Sequence, residues 1–343
     1  MAMCPLRQIP RLFTYDNEDI PPDERAQRTL NKARIPEIAQ YILDNPQEYV
    51  FSSITVSIDG KARFEPSAQT GLGSKVGQLI IPSLAKLIVN DGQHRRAAIV
   101  EALKHNPELG YETMSVVFFL DAGLRRSQQM FADLNQHAVR PTKSLSILYD
   151  HRSPLARLTL KVADTVPDFK GFVEFERTTL SNRSIKLFTL SSLFQATKAL
   201  LGKRSNAAKI TDQEEQLTIE FWTEVTHHIP EWDLLAKREV SASALRKDYV
   251  HAHGVVLHAL GLMGHTLVTE HPKDWKKRLK LLEGIDWNRA NARLWEGRAM
   301  IGGRLSKAHS NVILTSALLK HQLGLPLTGE EERMEKGLQI GRS

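Results

Sequence analysis

Residues 87–103, LIVNDGQHRRAAIVEAL, hold a dense set of side chains able to handle an anion. A short apolar run, Leu87-Ile88-Val89, stops at Asn90-Asp91-Gly92, and an Ala-rich helical pattern follows Gln93-His94-Arg95-Arg96. Gly92 frees the backbone for a tight turn, and Asp91 can accept from the first helical N–H groups. The cluster therefore falls on the first turn of a helix, where uncapped N–H groups and the helix dipole favour an anion. Two guanidiniums at that end oppose the dipole. A local rule broken in this way points to a functional site, with phosphate as its ligand. Gln93 or His94 would orient a water, and Arg95 or Arg96 would offset charge on a transferring phosphoryl group. Adjacent arginines face about 100° apart on a helix, so one can serve phosphate and the other a structural carboxylate. The plainer reading is an exposed polar first turn with an internal Arg–carboxylate pair. Asp91 either caps the helix or meets a magnesium ion carried in by a nucleotide.

Other clusters stay open between two readings. Asn135, Gln136 and Arg140 form either a second wall of the same pocket or a helix C-terminus before Pro141. His251, His258 and His265 recur every seven residues, and steps of about 10 Å along a helix axis are too wide for a shared metal. A polar seam in a helical core fits them better, with Gly254, Gly261 and Gly264 letting another helix approach. Two basic stretches are candidates for DNA. Lys273–Lys280 has five cations against one acid, and Arg289–Lys307 sets Arg289, Arg293, Arg298, Arg304 and Lys307 against Glu296. The second also holds Gly302-Gly303, whose N–H groups can reach a phosphate. Lys203-Arg204 is a third contact. Such runs usually mean a solvated helix face.

The elements that must position these groups change character along the chain. Residues 1–30 read as extended and polar. A helix over 35–43 precedes a strand over 53–58, and Asp59-Gly60 predicts a hairpin turn into 62–65. Residues 70–77 are Gly-rich; 79–81 and 84–89 read as strands, 114–120 as a buried strand and 124–136 as a helix. After Pro141 helices dominate: 144–149, 153–166, 185–201, 211–228 opened by a Thr211–Glu214 capping box, 243–268, 274–282 and 308–323. The tail after Gly329 is charged and reads as frayed. This is an α+β chain, with a mixed N-terminal domain over 1–145, a mainly helical domain over 146–343 and a soft boundary near 141–150.

The 343 residues are 41% hydrophobic and suit a packed core. A single cysteine, Cys4, rules out an internal disulfide or thiolate zinc site. With no signal-peptide pattern and no stretch pure enough to span a membrane, the expected location is the cytoplasm. Lys and Arg number 46 against 39 Asp and Glu, net +7, which is compatible with a nucleic-acid partner.

DGQHRRAA at 91–98 resembles the signature of the DGQHR-domain family, which has the ParB/sulfiredoxin-like fold. In ParB-type nucleotidases the matching turn is a Gly-x-x-Arg-x-x-Ala box that holds nucleotide phosphates. Asp133–Pro141 resembles the second phosphate-handling box of ParB, although its acid and its Arg are displaced. Over nearly its full length the chain is similar to the DndB family of regulators of DNA phosphorothioate-modification clusters, with matching stretches at 179–201 and 295–331. The resemblance implies a ParB/sulfiredoxin-like N-terminal domain binding ATP or CTP, with or without Mg2+, at Asp91, Gly92, Gln93, His94, Arg95, Arg96, Asn135, Gln136 and Arg140. Gln93, His94 and Arg95 are the expected catalytic set, and no resident metal is expected. The helical domain would contact promoter DNA and self-associate, with other phosphorothioation proteins as further partners. The rival expectations are a nucleotide hydrolase that binds DNA only non-specifically, and a scaffold for the modification enzymes.

Overall fold

The computed structural model describes residues 1–13, 30–120, 126, 129–130, 133, 141–206 and 208–340. The chain forms two compact units, residues 1–139 and 140–343.

The N-terminal unit is built on a four-stranded sheet in the order β1-β6-β2-β5. Its elements are β1 (Ala2–Pro5), α1 (Ile35–Asp44), β2 (Ile54–Asp59), β3 (Arg63–Pro66), β4 (Gly77–Ile80), β5 (Lys86–Asp91), α2 (Gln93–His105) and β6 (Thr113–Leu120). β2 runs parallel to β6 and antiparallel to β5, with a register irregularity at Thr55/Val56. Ile54, Val56 and Val116 are fully buried and meet Ile42 of α1 and Ala98 and Ile99 of α2. Each large apolar side chain withdrawn from water contributes about 1.5–3 kcal/mol, so this layer fixes β5 and the turn that leaves it.

Two expectations fail here. Asp59-Gly60 does not make a hairpin into β3: β2 pairs with β5 and β6, while β3 pairs with β4 in a separate ribbon. The apolar residues of β2 are buried as a sheet interior, and that burial outweighs a favourable turn dipeptide. The first residues are not merely extended either, because β1 joins the sheet edge and Leu6, Ile9 and Phe13 enter the core. The expected helix over 124–136 lies almost wholly outside the described residues.

The helical unit contains α3 (Lys143–Leu148), α4 (Pro154–Thr165), the short strands β7 (Val173–Glu174) and β8 (Phe188–Thr189), α5 (Leu190–Leu200), α6 (Asp212–His227), α7 (Pro230–Ala236), α8 (Ala242–Asp248), α9 (Gly254–Glu270), α10 (Trp275–Leu279), β9 (Met300–Ile301), β10 (Arg304–Leu305), α11 (His309–Gln322) and α12 (Gly329–Ile340). α9 packs against both α5 and α11. Gly261 allows this: a Cβ there would sit 2.2 Å from the Ala196 carbonyl oxygen of α5. The Thr211–Glu214 capping box opens α6 as expected. The single helix expected over 243–268 is instead α8, a short 3-10 turn at Val250–Ala252 and α9. The tail is not frayed but forms α12. Its Glu331 is buried against Lys320 at 2.8 Å, and its Glu335 pairs with Arg298. Among the described residues no helix is long and apolar enough to cross a membrane.

Candidate functional site

The β5–α2 turn is built around Gly92, whose φ of +106° lies in the left-handed region. A Cβ at this position would meet Ile54 Cγ1 at 3.0 Å and Arg95 Nη2 at 3.3 Å. No side chain caps α2, and its first turn carries no acid. Asp91 does not take the capping role, because its carboxylate pairs with the Arg95 guanidinium four residues on. Arg95 Nη1 also donates to the Ser53 carbonyl at 3.1 Å and to the carbonyl and hydroxyl oxygens of Ser52. Arg95 is thus the structural arm of the pair, tying the turn to the entry of β2.

Arg96 differs. Its side chain is half-buried, its Nε has no hydrogen-bond partner, and desolvation lowers its pKa. His94 Nε2 accepts the Asn31 backbone N–H at 3.0 Å, so that lone pair is already engaged. Gln93 is buried. Asn90 is fully buried, donates to Ser57 Oγ at 2.5 Å and leaves its Oδ1 unpartnered. Of the second expected wall, Asn135, Gln136 and Arg140 lie outside the described residues, and Asp133 accepts from Gln129 at 2.6 Å.

The helical unit holds a different kind of site. A cleft of about 530 Å³ is lined by Arg246, Lys247, Arg289 and Lys307, with His253, Gly254 and Ser192. A second cavity of about 680 Å³ shares Thr178, Ser192, Gly254 and Lys307 with it and adds Lys143 and His258. No Asp or Glu lines either cavity. Both are bounded by the N-terminal ends of α5 and α9, and α9 opens with neither a capping side chain nor an acid. Lys307 Nζ is 3.1 Å from Ser192 Oγ, and desolvation holds the ammonium below the usual lysine range. His253 Nε2 lies 2.8 Å from the Arg246 carbonyl, the geometry of a neutral imidazole donating its N–H. Burial, and then repulsion from Arg289, Lys307 and Arg246, lowers its pKa to about 4.

The other expected DNA contacts are differently placed. Arg298 is internal, held by Glu335 and donating to the Leu314 carbonyl at 3.2 Å. The Gly302 and Gly303 N–H groups do form an anion-accepting concavity, but Glu296 of the same chain occupies it. Lys203 pairs with Glu214 at 2.6 Å. Arg289 donates to the carbonyls of Arg246, Lys247 and Gly303. Arg204, Arg293 and Arg304 are exposed.

His251, His258 and His265 do not share one helix, since α9 starts only at Gly254. His251 is fully buried, and its Nδ1 accepts from Trp232 Nε1 at 3.0 Å. Among the described residues no group of three or more metal-ligating side chains occurs. Arg246, Lys247, Lys143 and His253 were not singled out by sequence reasoning. The available signal was a long helix opening on His253-Gly254 with no acid and no cap.

A family model described as DndB, DNA-sulfur modification-associated, matches residues 1–326 of the chain. Searches of curated proteins and of solved structures returned no match.

Proposed function

The chain belongs to the DndB family, and from that premise we propose that it is a promoter-binding repressor of a DNA phosphorothioation gene cluster whose DNA contacts lie on the helical unit. The observation that carries this reading is where the charge resides. Residues 140–343 hold 31 Lys and Arg against 23 Asp and Glu, net +8, whereas residues 1–139 hold 15 against 16, net −1. A polyanion is therefore drawn to the helical unit. Arg204 and Arg304 are exposed there, as are Lys273, Lys277 and Lys280 around α10. The test is promoter binding by the full chain at several salt concentrations. Neutralising Arg204 and Arg304 together should weaken binding to all sequences and flatten the salt slope by about two. An unchanged slope removes these residues from the interface.

The β5–α2 turn favours a second element, a nucleoside triphosphate such as ATP or CTP, with or without Mg2+, that shifts the protein between states of different DNA affinity. Its support is the uncapped start of α2 beside the unpartnered Nε of Arg96. Arg96, rather than Arg95, is then the phosphate-facing residue. Equal promoter affinity with and without nucleotide would end this coupling. Turnover of nucleotide without sequence-selective DNA binding would favour the hydrolase reading. Self-association and docking to other phosphorothioation proteins belong to the same proposal, and sedimentation and pull-down experiments test them.

A further inference from the structure

The acid-free cleft of the helical unit is concave and cationic. Elements that read DNA protrude into its grooves or along its backbone. A cavity of about 530 Å³ falls instead within the range of small-molecule sites, about 300–1,000 Å³. Four cations line it, and the adjoining cavity adds Lys143. Stacking cations without a carboxylate among them costs free energy in the empty protein, and a bound anion would relieve that cost. The chemistry also excludes a cation or metal ligand, because the wall supplies positive charge, hydroxyls and N–H donors but no anionic oxygen. The start of α9 adds helix N–H groups that no side chain has claimed. Gly254 keeps this point open: a Cβ there would lie 2.5 Å from Ser192 Oγ and 2.8 Å from Lys307 Nζ.

We propose that this cleft binds a small organic phosphate of mononucleotide size, its phosphoryl group seated against Lys307 and the start of α9. Arg246 is part of the wall rather than of the grip, since its guanidinium is used by the carbonyls of Ser181, Asn182, Ser184 and Lys186. Lys307 and Lys247 are the cations able to turn toward a ligand. Lys307 and Arg289 thereby move from the expected duplex contacts to an effector pocket distinct from the β5–α2 turn.

Calorimetry on the full chain tests this with inorganic phosphate, ribose 5-phosphate and AMP, and with adenosine as the dephosphorylated control. AMP or ribose 5-phosphate should bind at least tenfold more tightly than adenosine. Lys307→Ala should lower that affinity tenfold or more, Lys307→Arg should largely retain it, and Arg96→Ala in the β5–α2 turn should leave it unchanged. Lys247→Gln, at an exposed position, should cost about threefold and serves as the readout if Lys307→Ala does not fold. Promoter affinity of Lys307→Ala at fixed salt should stay within about twofold of the parent. Three results overturn the proposal: no binding of any phosphate probe to the parent, phosphate binding that survives both substitutions, or promoter binding that falls in step with phosphate binding. The last would make the cleft a duplex-backbone contact. Because promoter affinity of the parent is measured separately, loss of the repressor reading would not be mistaken for loss of this one.

Discussion

The β5–α2 turn and the cleft of the helical unit both collect cations at the start of a helix, yet they handle that charge in opposite ways. In the turn, Asp91 neutralises Arg95 four residues away, and the Ser52 and Ser53 carbonyls accept from its Nη1. In the cleft, cations from α3, α8 and the segments flanking β9 and β10 converge with no lining carboxylate. The first arrangement holds structure together, and the second stores positive potential. A cation in a motif is thus weak evidence of ligand binding until its internal partners are counted.

The compensated extreme sets the scale. Lys320 and Glu331 are each 3% exposed, and Ser316 and the Thr328 N–H complete the carboxylate's bonds. Glu331→Ala leaves a buried ammonium alone and should cost about 3–5 kcal/mol, read from chemical denaturation. A loss below 1 kcal/mol would mean that α12 does not dock as described. Asp91→Ala makes the milder version of this experiment in the turn. The Arg95 side chain is 14% exposed and Asp91 37%, so solvent takes up part of the loss and about 2 kcal/mol is expected. No loss would return Arg95 to the set of available phosphate ligands.

This contrast also explains what was legible in the sequence. Asp91 and Arg95 stand at i and i+4, a spacing that advertises an ion pair, and Thr211 with Glu214 advertises a cap. The helix-facing role of Gly261 was likewise readable from its place in an apolar run. The cleft was not readable, because its cations lie between Lys143 and Lys307 with helices in between, and only packing brings them together. Arg298 misled for the same reason: its partner Glu335 sits in a tail whose charge looked like disorder. The hairpin expected at Asp59-Gly60 failed because a local turn preference is smaller than the gain from burying β2.

Burial of His253, with the cleft's uncompensated field adding to it, should be visible as a pH dependence. His253 has a pKa of about 4 in the fold against an ordinary value of 6.5. The unfolded chain therefore binds the extra proton between these values, and the folded one does not. Stability contributed by the neutral imidazole is complete above pH 6.5, falls as pH drops and is gone below about 4. Between pH 7 and pH 5 the share of the loss due to His253 should be on the order of 2 kcal/mol, beside the shares of His251 and His258, whose pKa values burial also lowers. His253→Gln should remove the His253 share. Saturating phosphate should also reduce it, because an anion offsets the repulsion from Lys307, Arg289 and Arg246. A loss identical in parent and variant would place the titrating group elsewhere.

The smallest expected effect is the most discriminating. Removing the partnered Arg95 from the turn should destabilise the protein, whereas removing the Lys307 ammonium from the cleft should not. Lys307 has a hydroxyl partner rather than an acid, and desolvation disfavours its charge. Lys307→Met keeps most of the side chain's apolar volume and deletes the ammonium, so it should leave stability unchanged or raise it by about 0.5 kcal/mol, screened as the site is by solvent. The same substitution made on a partnered cation, Lys320→Met, strands Glu331 and should go the other way. A cation kept where it brings the fold no stability is what a binding site looks like. If Lys307→Met instead costs as much as Asp91→Ala, Lys307 is part of the scaffold, and the difference between the two regions disappears.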